Sequence, residues 1–557
     1  MKKQALSLFL AGALALSLFG CSAQPAAESA PQSSPAETAG SSSAGVVEEL
    51  HLGTTAANDT FTTFVESGAF GKMCYNSFVT APFWQTGPNG EVEPFLVTDW
   101  TVSEDSTTIT CDLALDQGIT WHDGEPLTMD DVLFTFDYNI NVRKSSYGSY
   151  VDHAEQVDED TIKVVLKEPG AYQWLKLVAG YFYVQPKHIW ENIDAPKDYR
   201  GEDAVIGCGP YKLVQVDEEA QTMHYEAVGE TYMGRALTVR SVTVRSYDSQ
   251  DALVMALRTG EVDAMYDYSN PISPTMLPSI SGVDGVDPGR GMNMGLFEIL
   301  FGFQKQPTDD LEFRRAVRYA LNYELLATTI GGEDGQVPGE AIISPAGIGY
   351  DDSLPKLVQD QEQAKAILEA AGYVDTDGDG WRERPDGTPM DVLVTPQYNA
   401  TKAALYQRIA EIIVTNLGEV GVKCTLDEES IRNSDHEQQL RDDGAYEIYI
   451  CYATQGVSFY KTPFLYMFND DLSMWGTCDL EDFDQAYNDM LNAQGDEDYV
   501  AKVKELQRIA SEEVIGIALC WDTAYYPYRT DKYEGWTNFP GWGVINCETW
   551  YNLHPIG

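Results

Sequence analysis

Positive charge is what this sequence has least of. Its 557 residues hold 36 lysines and arginines against 87 aspartates and glutamates, a formal net charge of −51 at pH 7. Such a surface repels nucleic acid, and no basic stripe offers a phosphate footprint, so nucleic acid is excluded as a partner. Histidine is scarce too: the seven present lack metal-ligand spacing. "HEQQL" (436–440) starts like a zinc-protease HExxH, but Leu440 stands where the second ligand belongs, which leaves a solvated helix segment. "GRGMNMG" (289–295) mis-spaces the dinucleotide fingerprint, and neither a P-loop nor a GxSxG elbow occurs. Beyond Cys21, cysteines stand at 74, 111, 208, 424, 451, 478, 520 and 547, with no CxxC pair. That counts against a zinc or redox centre and leaves any disulfide pairing open. No cofactor is expected.

Long apolar runs are confined to the N-terminus. Lys2 and Lys3 precede an apolar stretch, Ala5 to Phe19, that is too short to span a membrane and reads as an export signal. It ends in Leu18-Phe19-Gly20-Cys21, and a small residue followed by Cys resembles the lipobox of bacterial lipoproteins. Residues 1–21 are therefore expected to be a signal peptide, with Cys21 as the lipid anchor. Residues 22–45 are mostly Ser, Ala, Pro and Gly and read as a flexible tether. The expected location is the outer face of a cell membrane, held there by lipid. From 46 onward the composition is globular, and the length implies two or three domains.

What is present in abundance is carboxylate, and "WHDGEPLTMDDVLFTFD" (121–137) tests whether it does chemistry. The stretch parses as a strand end, an Asp-Gly turn at 123–124, and a helix N-capped by Thr128 with Asp131 closing a capping box. Val132, Leu133, Phe136 and Ile140 supply the apolar face of that helix, and Asp130 and Asp131 sit in its first turn, where the macrodipole favours them. Strands are expected in "VVEELHLGTT" (46–55) and "STTITCDLA" (106–114). Helices are expected at 251–260, ended by Gly260, across 311–332, with Val317, Ala320, Leu321 and Leu325 on one face, and from Asp360 to Gly372. Helices and strands interleave throughout, so the fold class is α/β. In "DTDGDGWRERPDG" (375–387), Asp375, Asp377, Asp379 and Asp386 take positions 1, 3, 5 and 12 of a calcium loop. The alternative is a polar turn.

These segments together resemble the family 5 extracellular solute-binding proteins, the peptide and nickel-type receptors of ABC importers. The likeness is carried in order by 96–137, "GCGPYKL" (207–213), "FRRAVRYALNYELL" (313–326), "QAKAILEAAGY" with "DGDG", and "NLGEVGVKCTL" (416–426). It implies a two-lobed periplasmic-binding-protein-like fold, type II, cluster C, with an extra subdomain in lobe one and no enzymatic activity. Lobe one is expected at 46–290, lobe two at 291–514, and a return to lobe one at 515–557. In this setting His122 and Asp123 are scaffold. The implied partners are a small solute or peptide and the permease subunits of an ABC importer. Peptide-binding relatives pair the peptide ammonium with an Asp in lobe two; the matching stretch here, "CYATQGVSFYKTP" (451–463), has no acid, and Thr454 or Gln455 falls near that position. Tyr452, Phe459 and Tyr460 from lobe two, with Tyr75, Phe78 and Trp84 from lobe one, are the aromatic candidates for ligand contact. A sensory lipoprotein of the same fold and a secreted carboxylate hydrolase stand as alternatives.

Overall fold

Strands form where β-branched and apolar residues alternate with polar ones, and they assemble into three main sheets. The computed structural model describes residues 45–557 apart from 66–67, 76, 89, 267–270, 273–275, 292–294, 346, 401, 455–477, 479 and 540. β1 (Leu50–Thr54) opens the body. Next come β2 (Val97–Val102), β3 (Thr108–Leu113), β4 (Val151–Gln156) and β5 (Thr161–Leu166), which make an antiparallel sheet ordered β2-β3-β5-β4. Helices α1 (Met129–Asp137) and α2 (Ala171–Val178) share its core through Val132, Phe136, Trp174 and Leu175. The capping box expected at Thr128 is present: the Thr128 backbone N–H and hydroxyl both donate to Asp131 Oδ2, at 3.0 and 2.8 Å.

The chain continues with β6 (Tyr211–Asp217), β7 (Thr222–Ala227), β8 (Ser241–Ser246), β9 (Ala264–Met265) and β10 (Val286–Asp287). It then builds a second body. This contains β11 (Gly295–Phe301), helices α3 (Leu311–Ala320) and α4 (Tyr323–Gly331), β12 (Val392–Pro396), α5 (Ala403–Glu419), β13 (Cys424–Leu426) and β14 (Ile448–Thr454). Helices α6 (Glu481–Leu491) and α7 (Asp496–Glu512) and strand β15 (Gly516–Asp522) complete it. Its five-stranded sheet is ordered β13-β12-β14-β11-β15. Strand β16 (Tyr528–Arg529) then returns to the first body and completes a seven-stranded sheet ordered β10-β16-β9-β1-β8-β7-β6.

The chain therefore crosses between the seven- and five-stranded sheets after Asp287, before Gly295, and again between Asp522 and Tyr528. The return falls later than 515. β15 pairs with β11 and its residues from Ile517 to Trp521 are buried in the second core, an unbroken apolar run that carries no boundary signal. The two crossings lie side by side. Tyr526 N–H donates to Gly289 O at 2.9 Å, and Gly291 N–H donates to Ala524 O at 2.6 Å. Gly289 has φ +61°, and a Cβ there would meet Tyr526 O at 1.8 Å.

The helix expected across 311–332 is two helices. Leu321 is extended, and the Asn322 side chain caps α4 by accepting from Leu325 N–H at 2.9 Å. This break rotates Leu325 to the surface, away from the core that takes Val317, Ala320 and Leu321. Among the described residues, no disulfide joins the eight cysteines of the body.

Replacing Gly289 by Ala puts a methyl group into the crossing at a positive φ. It should cost at least about 2 kcal/mol in chemical denaturation. Gly234 has φ +76° and nothing within 4 Å of a built Cβ; Gly234→Ala should cost only about 1 kcal/mol. Equal costs at the two sites would show that the crossing is not sterically constrained.

Candidate functional site

Both crossings attach to the same edges. β1 and β9 are parallel, and β16 runs against β9, so the segment 523–527 meets the first sheet where β1 and β9 end. In the second sheet Gly295, the first residue of β11, lies opposite Thr454 and Asp522, the last residues of β14 and β15. The carboxyl ends of β1, β9, β12, β14 and β15 thus gather around the crossings, the location where open α/β sheets place ligands.

From the second body this edge carries a preformed cluster. The ring of Tyr452 lies over Gly295, where a Cβ would come within 2.1 Å of the tyrosine oxygen. It packs on Phe297 with centroids 4.8 Å apart. Gln397 Oε1 accepts from Tyr452 N–H at 3.0 Å and from the Tyr406 hydroxyl at 2.8 Å, which fixes the end of β14 against α5. Lys402 Nζ stands 4.6 Å above the Tyr452 ring, 5.3 Å above Phe297 and 3.7 Å from Asp522. Cation–π contact and the nearby carboxylate hold the ammonium in place.

From the first body, the loop after β1 offers Asn58. Its amide Oδ1 and Nδ2 are both shut off from solvent, and neither has a hydrogen-bond partner among the described residues. An unsatisfied buried amide costs about 1–3 kcal/mol, so this amide is a candidate donor–acceptor pair. Sequence reasoning passed over Asn58, Gln397 and Lys402. The available signal was positional, since each follows the carboxyl end of a strand.

The aromatic candidates from lobe one need correction. Phe78 is 0% exposed; its ring stacks on Tyr211 at 4.4 Å and tilts against Trp550 at 4.5 Å. Trp84 is also 0% exposed and packs edge-on to Trp174 at 5.6 Å in the four-stranded sheet's core. Both are core side chains. Tyr75, 3% exposed, joins Tyr183 and Trp542 in an aromatic cluster of the first body. Thr454 ends β14 at the crossing edge. Gln455, Phe459 and Tyr460 lie outside the described residues, as does Cys21.

His122 is scaffold: its Nδ1 accepts from Gly207 N–H at 3.3 Å, its Nε2 meets Gly209 O at 3.0 Å, and burial pushes its pKa down to about 4. Asp123 pairs with His188 at 2.9 Å. In the acidic loop, carboxylate oxygens of Asp375, Asp377, Asp379 and Glu383 lie within 4.8 Å of one another. Asp386 turns away to Thr388 because the bridge between Glu383 and Pro389 folds the segment into a hairpin. Asp375 already accepts from Gly378 and Gly380 N–H, and Glu383 accepts from Thr376, so the loop closes on itself as a polar turn.

The paired crossing links the seven- and five-stranded sheets. The sequence matches the bacterial extracellular solute-binding proteins, family 5 (middle), over residues 91–474, and the chain belongs to that family. It is a substrate-binding protein of ABC importers of the peptide, nickel and heme type and not an enzyme. The dipeptide-binding protein of Escherichia coli is 26% identical over 391 residues, 66% of this chain and 68% of that protein. HbpA2 of Haemophilus parasuis superposes with a TM-score of 0.76 at 18% identity, covering 92% of this chain and 100% of that one. The oligopeptide-binding protein AppA of Bacillus subtilis, solved with a nonapeptide, gives a TM-score of 0.64 at 17% identity, covering 92% and 100%. Among the described residues no helix is long and apolar enough to cross a membrane.

Removing a core ring and removing an orphaned amide should have opposite consequences. Phe78→Ala should destabilise the ligand-free protein by about 3–5 kcal/mol. Asn58→Ala should leave stability unchanged or raise it, because it deletes polar atoms that have no partner among the described residues. A loss above about 1 kcal/mol for Asn58→Ala, read in urea unfolding, would mean that the amide serves the fold.

Proposed function

We propose that the chain is a lipid-anchored, outward-facing receptor. It captures a solute between two lobes and delivers it to an ABC permease. In this reading Cys21 carries the lipid and residues 22–45 tether the body. Lobe one comprises the seven- and four-stranded sheets, with the four-stranded sheet as its extra subdomain. Lobe two comprises the five-stranded sheet and its helices. The observation that carries the proposal is the paired crossing at the carboxyl ends of both sheets. A rotation there opens and closes the edge where Asn58, Tyr452 and Lys402 stand, and a ligand touching both lobes favours the closed state by its differential affinity.

The preferred ligand is an oligopeptide or a molecule built like one, with polar groups along an apolar body. The Asn58 amide offers one donor and one acceptor, the pairing a peptide group satisfies. Tyr452 offers a flat apolar face, and the Lys402 ammonium has donors to spare. The dipeptide-binding relative and the nonapeptide complex of AppA favour the same class.

Native mass spectrometry of the full-length protein, before and after mild denaturation and refolding, should release a discrete mass. Adding that molecule back should restore the melting temperature lost on its removal. Asn58→Ala and Lys402→Met should each weaken its rebinding about tenfold or more, the worth of a charge-assisted or buried hydrogen bond. Release of no mass, together with indifference of the melting temperature to a peptide library, would overturn the receptor reading.

A further inference from the structure

Away from the crossings the two bodies touch a second time, through α2 of the four-stranded sheet and the α6–α7 hairpin. One side of α2 belongs to its own sheet: Ala171, Trp174, Leu175 and Val178 are buried in that core. The other side meets the second body. Tyr172 packs against that body's core and sets its ring 5.6 Å from Tyr499. Gln173 Nε2 donates to Met490 O at 3.5 Å. Lys176 Nζ lies 3.2 Å from Asp496 Oδ1 and 5.1 Å from the Tyr172 ring centroid. The asymmetry of the ion pair is marked: the Lys176 side chain is 1% exposed, and that of Asp496 is 69% exposed.

A lysine placed this way opposes the contact it sits in. With the bodies apart its ammonium is hydrated; with the bodies together its ion-pair partner among the described residues is Asp496, itself largely exposed to water, with the Glu91 charge acting from further off. Desolvation of one member of a pair readily exceeds the Coulombic return. The groups facing Lys176 are Asp496 and Tyr499 from α7, Glu91 from the turn after β-hairpin residues 84–86, and Tyr172 on its own helix. Against that cost stand the Tyr172–Tyr499 ring contact and the Gln173 hydrogen bond, which favour closing.

We propose that α2 and the α6–α7 hairpin form a closure face that needs no ligand, and that Lys176 sets the receptor's affinity from outside the ligand wall by making closure strip an ammonium of water. This rests on the two-lobe reading above. An affinity measured on such a receptor is the intrinsic one scaled by the fraction of molecules able to close. The pH dependence follows in sign. In the closed form burial pushes Lys176 down to about 8, whereas a free lysine titrates near about 10.4. The closed form therefore binds fewer protons between those values, and raising the pH through that window favours closure.

The test is the distance between nitroxides on the exposed positions Glu168→Cys and Asn488→Cys, which flank the face, in the full-length, ligand-free chain. Lys176→Met should raise the ratio of short to long distances about threefold or more, and Asp496→Asn, which strips the lysine of its partner, should lower it. Going from about pH 7 to about pH 9 should shift the parent chain toward the short distance and leave Lys176→Met unmoved. A Lys176→Met population equal to the parent's, or shifted to longer distances, overturns the role of Lys176. A single distance in every variant, with and without the molecule released in mass spectrometry, overturns the two-lobe reading itself.

Discussion

Two stretches of backbone running side by side for three residues connect the seven- and five-stranded sheets. Gly289–Gly291 and Ala524–Tyr526 are joined by a pair of N–H···O bonds, and they approach so closely because Gly289 has no side chain. Two connections at one edge leave two bodies a single common axis, whereas connections at separate edges would lock them. The second body also grips the pair from outside: Asp334, just after α4, accepts from the Tyr525 hydroxyl and stands 3.6 Å from the Arg290 guanidinium. The axis is thus registered to the second sheet, and strand ends at that sheet's edge keep their place relative to it.

Side chains near the crossing differ in how fully their neighbours engage them. The Tyr452 ring, the Lys402 ammonium and the Gln397 amide are held by one another at the crossing edge. Asn58 in the first body carries an amide with no hydrogen-bond partner among the described residues. Buried polar groups are normally paired, so a group of this kind calls for an explanation. Phe78 and Trp84 show the contrary case, aromatic rings wholly consumed by other rings.

The sequence disclosed what local rules govern. The turn and capped helix at 121–137 were legible because an Asp-Gly pair and a Thr-x-x-Asp box act within a few residues, and the structure has both. His122 was legible as scaffold only through the resemblance; its partners, Gly207 and Gly209, lie more than eighty residues away. Three things stayed hidden for identifiable reasons. An aromatic residue in a strand-rich region reads the same whether it faces a core or a ligand, so Phe78 and Trp84 could not be told from Tyr452. The fourth carboxylate of the acidic loop changed from Asp386 to Glu383 because a hairpin, not a helix, follows Asp379. The orphaned state of Asn58 depends on what does not surround it, which no local pattern encodes.

The deficit of positive charge sharpens the meaning of each cation that remains. In a chain with 87 acids, most basic side chains have a surface carboxylate to meet, yet several are drawn inward to act as staples. Arg314 donates to the carbonyls of Thr308, Asp309, Glu513 and Val514, tying α3 to the end of α7. Arg529 donates to Leu257 O and pairs with Asp531, fixing β16 beside the helix Gln250–Thr259. Arg382 joins Val420 O and Tyr373 O. The planar guanidinium suits this work, because several donors in fixed directions can satisfy several carbonyls at once. Lys176 and Lys402 stand apart from these staples. Each carries a compact ammonium that rests over a tyrosine ring and beside an aspartate. Such a cation contributes little to rigidity, and its energy changes steeply with what lies next to it. One is set where the two bodies meet and the other where a guest would enter, which are the two places where the surroundings of a side chain change when a binding protein closes.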